Sequence, residues 1–368
     1  MEYRRVLPKI NGRTLLFFKL FLKSFEGGFI MLVISVRNFS KQKIEKINEQ
    51  GYEYIFVDNS GLDPHNVHTS DYFNRNIYDL CDDIKKKATI LIMDSFHVTS
   101  KLLDECPNVK WIQHPGAGVN AGQFWTDWEL IDKKGVIVTT AKIHAVPISE
   151  MIITFMLDLL KHMPRFYERK KNKVYGDKAN VLPMLLDKKK VLIIGTGHIG
   201  CELAKKLKLA FDTYIAGINS DRRKLDYFDE IYTQDSLLDI VGEFDFVVIT
   251  CPLTEKTKHL IDSRVFERMK RTAYVINPSR GSIINENDLI HALETNQIAG
   301  AALDTFEEEP LPKDSKLWEL DNVIITPHLS GFRPDYDDAV FEIFYKNLIH
   351  FKNGEFDKME GVANKKGY

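Results

Sequence analysis

Residues 31–36 form an apolar run, the following stretch repeats apolar side chains at Ile44 and Ile47, and residues 54–57 are apolar again. This pattern predicts a strand, an amphipathic helix and a second strand. Further runs at 89–93 and 109–113 flank a helical stretch around Leu102 and Leu103, so the alternation continues and a parallel sheet with helical connections is expected. A second set of strands is predicted at 191–194, 214–218, 244–250, 273–277 and 323–326, with the β-branched composition that suits strands buried on both faces. Between the two sets, residues 147–163 are apolar at helical spacing, with Ser149 and Glu150 near the start, and predict one long connecting helix. A last helix is expected over 335–351, where Val340, Phe344, Leu348 and Phe351 recur; it follows the last strand and is placed to pack back on the first set. At 368 residues the protein exceeds one ordinary core, and the fold class predicted is α/β in two domains.

The first 30 residues depart from this pattern. They carry Arg4, Arg5, Lys9 and Arg13, then an apolar run over 15–22 that superficially resembles a secretory signal. Lys19 and Lys23 interrupt it, no small-residue cleavage site follows, and the run is far too short to span a bilayer. Glu26-Gly27-Gly28 requires a purine-rich, G-rich coding stretch a few codons before Met31, which is how a translated ribosome-binding site looks. Residues 1–30 are therefore expected to be a leader, with Met31 the working start.

Composition narrows the partners. Fifty basic against 52 acidic residues give a net charge of −2, so nothing global steers the protein toward nucleic acid or an anionic membrane, and a small molecule is the default partner. Cys81, Cys106, Cys201 and Cys251 are widely spaced, with no pair or Cys/His cluster of zinc type, so reduced thiols in a cytoplasmic setting and no metal are expected.

Gly195-Thr196-Gly197-His198-Ile199-Gly200 follows a predicted strand and opens a predicted helix over 202–209. In that setting the first Gly permits the tight turn, the second lets a pyrophosphate approach the backbone, and the third lets helix pack on strand; the helix N-terminus adds N–H groups, His198 and Ile199 among them. Where an NAD site usually places an acidic residue for the ribose 2′-OH, the next strand ends in Asn219, followed by Ser220, Asp221, Arg222 and Arg223. A carboxylate would repel a 2′-phosphate and two arginines would bind one, so NADP(H) is expected to be preferred, with NAD(H) still accommodated.

Three segments near the C-terminus carry reactive groups: Asn277-Pro278-Ser279-Arg280-Gly281, the stretch from Asp304 through Phe306 to Glu309-Pro310, and Thr326-Pro327-His328. Each ends an apolar strand, and carboxyl ends of parallel strands line the ligand crevice of such sheets. With these motifs in this order, the sequence resembles the D-isomer-specific 2-hydroxyacid dehydrogenases over nearly everything after Met31. Cys251-Pro252-Leu253-Thr254 with Thr257, and the arginine-rich second strand end, are nearest to the glyoxylate/hydroxypyruvate reductase group.

The resemblance implies a Rossmann NAD(P)-binding domain over 141–327 and a flavodoxin-like substrate domain from 31–140 plus 328–368, with a cleft between them. It implies Arg280, Glu309 and His328 as the catalytic set. Arg280 would clamp the substrate carboxylate and carbonyl, His328 would donate the proton, and Glu309 would hold the imidazolium. Backbone amides at Ala117 and Gly118 would face the substrate carboxylate, Asp304 the nicotinamide carboxamide, and Cys251, Pro252, Thr257, Pro278 and Ser279 the cofactor ribose region. A homodimer through residues 147–163 is likewise implied. The activity expected is reduction of a small 2-keto acid of glyoxylate or hydroxypyruvate type. Two other readings stand beside it: an NADH-dependent dehydrogenase of D-lactate or of longer D-2-hydroxy acids, and a non-catalytic nucleotide-sensing corepressor-like protein.

Overall fold

The computed structural model describes residues 31–57, 77, 80–93, 100–116, 128–175, 182–220, 222 and 224–363. The leader at 1–30, Ala117, Gly118, Asp221 and Arg223 lie outside the described residues. Two compact units make up the fold, one running to Ile143 and resuming at Asp335, the other spanning His144–Pro334. The boundaries fall a few residues beyond those expected at 140/141 and 327/328.

In the first unit, strands β1 (Met31–Ser35), β2 (Tyr52–Phe56), β3 (Ala88–Ile92), β4 (Trp111–His114) and β5 (Ile137–Thr140) form a parallel sheet in the order β2-β1-β3-β4-β5. That is the flavodoxin-like order. Side chains alternate across the sheet: Leu32 and Ile34 enter one apolar layer while Val33 enters the other. The second layer includes the last helix, Tyr336–Lys352, which lays Val340, Phe341, Phe344 and Leu348 on the sheet. Phe344 stacks on Trp111 at 5.2 Å between ring centroids, and the Trp111 indole N–H donates to Thr139 Oγ1 at 2.7 Å. The indole thus buries its apolar area with its one polar atom satisfied.

The second unit holds β6 (Lys190–Ile194), β7 (Tyr214–Ile218), β8 (Glu230–Tyr232), β9 (Phe246–Ile249), β10 (Tyr274–Asn277), β11 (Gly300–Leu303) and β12 (Val323–Ile325) in the order β12-β11-β10-β9-β6-β7-β8, all parallel. Counted from β6 this is the doubly wound order of a Rossmann sheet, and it reverses between β6 and β9. Leu192 and Ile194 point into one buried layer, Val191 and Ile193 into the other, which is why this strand reads as an unbroken apolar run.

The connecting segment differs from expectation. Two helices, Ala145–Leu160 and Met163–Lys171, replace the single helix predicted over 147–163, and His162 between them takes a left-handed backbone at φ 55. Pro164 explains the break, because its ring would strike the carbonyl one turn earlier in a continuous helix, whereas it is tolerated in the first turn of a new one. Among the described residues no helix is long and apolar enough to cross a membrane, and no group of three His, Cys, Asp or Glu side chains is arranged to hold a metal.

Candidate active site

The Gly-rich turn sits at the reversal of the strand order. Gly195 has φ 102, and a Cβ there would lie 2.4 Å from the Cys251 amide nitrogen at the end of β9; Thr250 Oγ1 donates to the Gly195 carbonyl at 2.6 Å. Only glycine allows the two strand ends to approach so closely. At Gly200 a Cβ would stand 2.3 Å from the Gly195 carbonyl oxygen, so the helix His198–Phe211 is seated directly on the turn. Gly197 behaves differently. A Cβ there meets nothing within 4 Å, and Gly197 caps the helix without a side-chain acceptor, so a ligand can approach the backbone closely where the first turn begins at His198, Ile199 and Gly200. An open cradle at the positive end of a helix fits a dinucleotide pyrophosphate, and these residues would hold it.

At the end of β7, Asn219 Nδ2 donates to Thr196 Oγ1 at 3.1 Å, which ties the second strand end to the Gly-rich turn. Ser220 and Arg222 are exposed, and Arg222 makes no hydrogen bond or ion pair among the described residues. On the other side of the turn, Ser279 Oγ donates to the Cys251 carbonyl at 2.5 Å, Ser279 N–H to Asn277 Oδ1 at 3.0 Å, and Thr257 Oγ1 to the Pro252 carbonyl at 2.7 Å. The loops after β9 and β10, Pro278 included, are therefore pinned to one another beside the Gly-rich turn. Cys251 is buried, and desolvation pushes its thiol up to about 12, so it is a packing group.

Arg280, Glu309 and His328 come from the loops after β10, β11 and β12, three adjacent strands. His328 Nδ1 meets Glu309 Oε2 at 2.7 Å, while Glu309 Oε1 accepts the Phe306 N–H at 3.0 Å. Burial alone would raise the Glu309 carboxyl; the His328 hydrogen bond and charge, the Phe306 amide and the Arg280 charge outweigh it and hold the group below the usual carboxylate range. Arg280 is half-buried and donates to the Ser279 carbonyl at 2.7 Å; desolvation draws its pKa down, with the charge of Glu309 opposing. His328 is exposed, so the imidazole edge opposite Glu309 is accessible.

The loops are braced against each other. A Cβ on Gly281 would lie 1.8 Å from the Phe306 carbonyl carbon, so the backbone after Arg280 touches the backbone before Glu309. Glu286 N–H donates to Glu307 Oε1 at 3.1 Å and Glu307 N–H to Glu286 Oε2 at 3.2 Å, a reciprocal clamp that His259 Nε2 joins at 2.9 Å from Glu307 Oε1. Sequence reasoning does not single out Glu286, Glu307, Thr250, Thr326 or Ser330 for this bracing; adjacency of the last two to His328 is the one available signal. It points Asp304 at the cofactor, whereas both carboxylate oxygens of Asp304 are engaged by the 326–330 turn.

Comparison with known proteins agrees with this fold. Residues 153–330 match the family profile described as D-isomer specific 2-hydroxyacid dehydrogenase, NAD binding domain. A D-2-hydroxyacid dehydrogenase (NAD(+)) from Clostridioides difficile is 32% identical, covering 86% of this protein and 94% of its own length. The protein belongs to the D-isomer-specific 2-hydroxyacid dehydrogenase family. It is an NAD(P)-binding oxidoreductase acting on CH–OH donors. A glyoxylate reductase from Pyrococcus horikoshii is 32% identical over 75% of this protein and 83% of its own length. Among solved structures, a D-isomer specific 2-hydroxyacid dehydrogenase family protein from Aeromonas salmonicida superposes with a TM-score of 0.71 at 27% identity, covering 92% of this protein and 99% of that one.

Proposed function

We propose that this dehydrogenase reduces a small 2-keto acid of the glyoxylate or hydroxypyruvate class to the D-2-hydroxy acid, with NADPH preferred over NADH. The observation that carries the proposal is the 2.7 Å contact between His328 Nδ1 and Glu309 Oε2. With Nδ1–H directed at the carboxylate, the proton to be transferred is held at Nε2, on the accessible edge of the ring. When bound, the reduced nicotinamide supplies the hydride. Arg280 binds the substrate carboxylate and polarises the keto oxygen, His328 Nε2 delivers its proton to that oxygen, and Glu309 stabilises the imidazolium before transfer. In the oxidative direction neutral His328 accepts the proton at the same atom.

Preference for NADPH is supported by Asn219 at the position where a carboxylate would repel a 2′-phosphate, and by the uncommitted Arg222 beside it. A homodimer in a cytoplasmic setting belongs to the same proposal. Its support is a set of exposed apolar side chains within and after the second connecting helix, Tyr167, Val174, Tyr175, Leu182 and Leu185, which a second copy would cover and which sedimentation velocity tests.

The deciding experiment follows nicotinamide absorbance with glyoxylate, hydroxypyruvate, pyruvate and branched 2-keto acids, each with NADPH and with NADH. Turnover confined to branched substrates, or faster with NADH, refutes the corresponding part. A double Arg222→Ala, Arg223→Ala variant is expected to lose about tenfold or more in kcat/KM for NADPH with little change for NADH, the loss of one or two charge-assisted bonds. Unchanged preference removes the proposed basis of selection.

A further inference from the structure

The loops that carry Arg280 and Glu309 are both held by one histidine. His259 lies in the loop after β9, and its N–H donates to the carbonyl of Ser282, just past Arg280, at 2.8 Å. Its Nε2 lies 2.9 Å from Oε1 of Glu307, just ahead of Glu309. Between these contacts the two loops touch, since a Cβ on Gly281 would lie 1.8 Å from the Phe306 carbonyl carbon. His259 therefore grips each loop one residue beyond the point where they meet. The grip continues along the chain, where the Ile261 N–H donates to the Ile283 carbonyl at 3.1 Å and the Asn285 N–H to the Ile261 carbonyl at 2.9 Å. Glu307 Oε1 also accepts the Glu286 N–H, and Glu286 Oε2 accepts the Glu307 N–H, so two carboxylates stand side by side. Burial and the charges of Glu307 and Glu308 push the Glu286 carboxyl up, with the Glu307 amide opposing. His259 supplies a side-chain donor to this pair; its Nε2 faces a group that only accepts, so it carries the proton. It does so at φ 50, a left-handed backbone that a residue with a Cβ adopts only at a cost.

We infer that His259 is a positioning residue for the reaction: its backbone fixes Ser282 and its imidazole fixes Glu307, so the Arg280 and Glu309 loops keep one register and Glu309 stays aimed at His328. The left-handed backbone opposes stability, and its effect is to direct the imidazole at Glu307. The inference rests on the reading of Glu309 and His328 as the acid–base pair, and the test separates the two.

His259→Gly accommodates the left-handed backbone and removes only the imidazole, so Tm is expected to stay near the parent's. For keto-acid reduction at saturating reduced nucleotide, kcat is expected to be about 3- to 10-fold lower, the effect of one lost hydrogen bond. The Kd for NADPH, read by fluorescence of the bound nucleotide, is expected within about twofold of the parent. His259→Gln presents an amide N–H at similar reach and is expected to restore kcat to within about twofold of the parent, which a merely space-filling ring would not allow. In a Glu309→Gln background, His259→Gly is expected to cost less than about twofold further, because both changes act on one unit. Parental kcat in His259→Gly, equal losses in the Gly and Gln variants, or losses that multiply with Glu309→Gln overturn the inference. A Kd raised about tenfold with kcat retained overturns it in favour of a cofactor contact. Parental kcat in Glu309→Gln overturns the acid–base reading and this inference with it, whereas parental kcat in His259→Gly alone leaves that reading standing.

Discussion

Replacing Glu309 by Gln removes one charge from the proposed acid–base pair and leaves the outline of the side chain intact. Two sites depend on its oxygens: Oε2 faces His328 Nδ1 at 2.7 Å and Oε1 takes the Phe306 N–H at 3.0 Å. A Gln carbonyl can serve one of these donors and its NH2 opposes the other. The electrostatic loss follows from the distance. The two side chains are 48% and 36% exposed, so a water-like dielectric is appropriate. Coulomb's law at 2.7 Å with ε of about 80 gives about 1.5 kcal/mol. That energy corresponds to about tenfold in the rate of the step that uses the pair. In the reductive direction the imidazolium is the proton donor, so kcat for reduction is expected to fall about tenfold in Glu309→Gln, and in the oxidative direction neutral imidazole is the base. The parent has its own acid limit. Because the Glu309 pKa is depressed, the pair is intact above the ordinary carboxylate range and is lost only as pH falls through the lower folded value. The assay is kcat in both directions across pH at saturating nucleotide. A Glu309→Gln variant whose kcat for reduction equals the parent's would refute the pairing as the source of proton transfer.

Two further predictions address what holds the site in place. Gly281→Ala drives a Cβ into the Phe306 carbonyl, whose carbon and oxygen would lie 1.8 and 2.0 Å away, and neither strand end can yield; a loss of about 3 kcal/mol or more is expected, a fall in Tm of roughly 6–12 °C, with kcat reduced as the Arg280 and Glu309 loops part. An Ala variant with parental Tm and kcat contradicts the close approach. Asp245, 19% exposed, accepts the Lys190 N–H and the Lys270 ammonium, each at 2.9 Å; burial raises its pKa, but these partners outweigh it and hold it low. Asp245→Asn is therefore expected to cost about 1.5–3 kcal/mol at neutral pH. The parent's advantage is present above the unfolded carboxylate pKa and shrinks as pH falls through the folded one, so denaturant midpoints of parent and variant should converge in acid; a constant difference across pH would exclude the charge as its origin.

Much of the fold is legible in the sequence because both sheets are parallel and covered on both faces. Such strands are apolar at nearly every position, and β6, β7, β9 and β10 appear as almost unbroken runs. β8 escapes because it is an edge of three residues, Glu230–Tyr232, with one face exposed. The order of strands is not legible, since pairing joins residues far apart in sequence and no local pattern records that β6 lies beside β9 rather than beside β10. The site divides along the same line. Arg280, Glu309 and His328 stand out because a strand end followed by a reactive side chain is a local signal. Their bracing does not, because a buried Asp has the same letter whether its acceptors face a ligand or a turn. Position in a motif points Asp304 at the cofactor, but the four donors around its carboxylate, all from the segment carrying His328, leave no mark in the letters. The proposed acid–base pair can thus be read from the letters, whereas the bracing that holds its loops lies in hydrogen bonds between segments more than twenty residues apart.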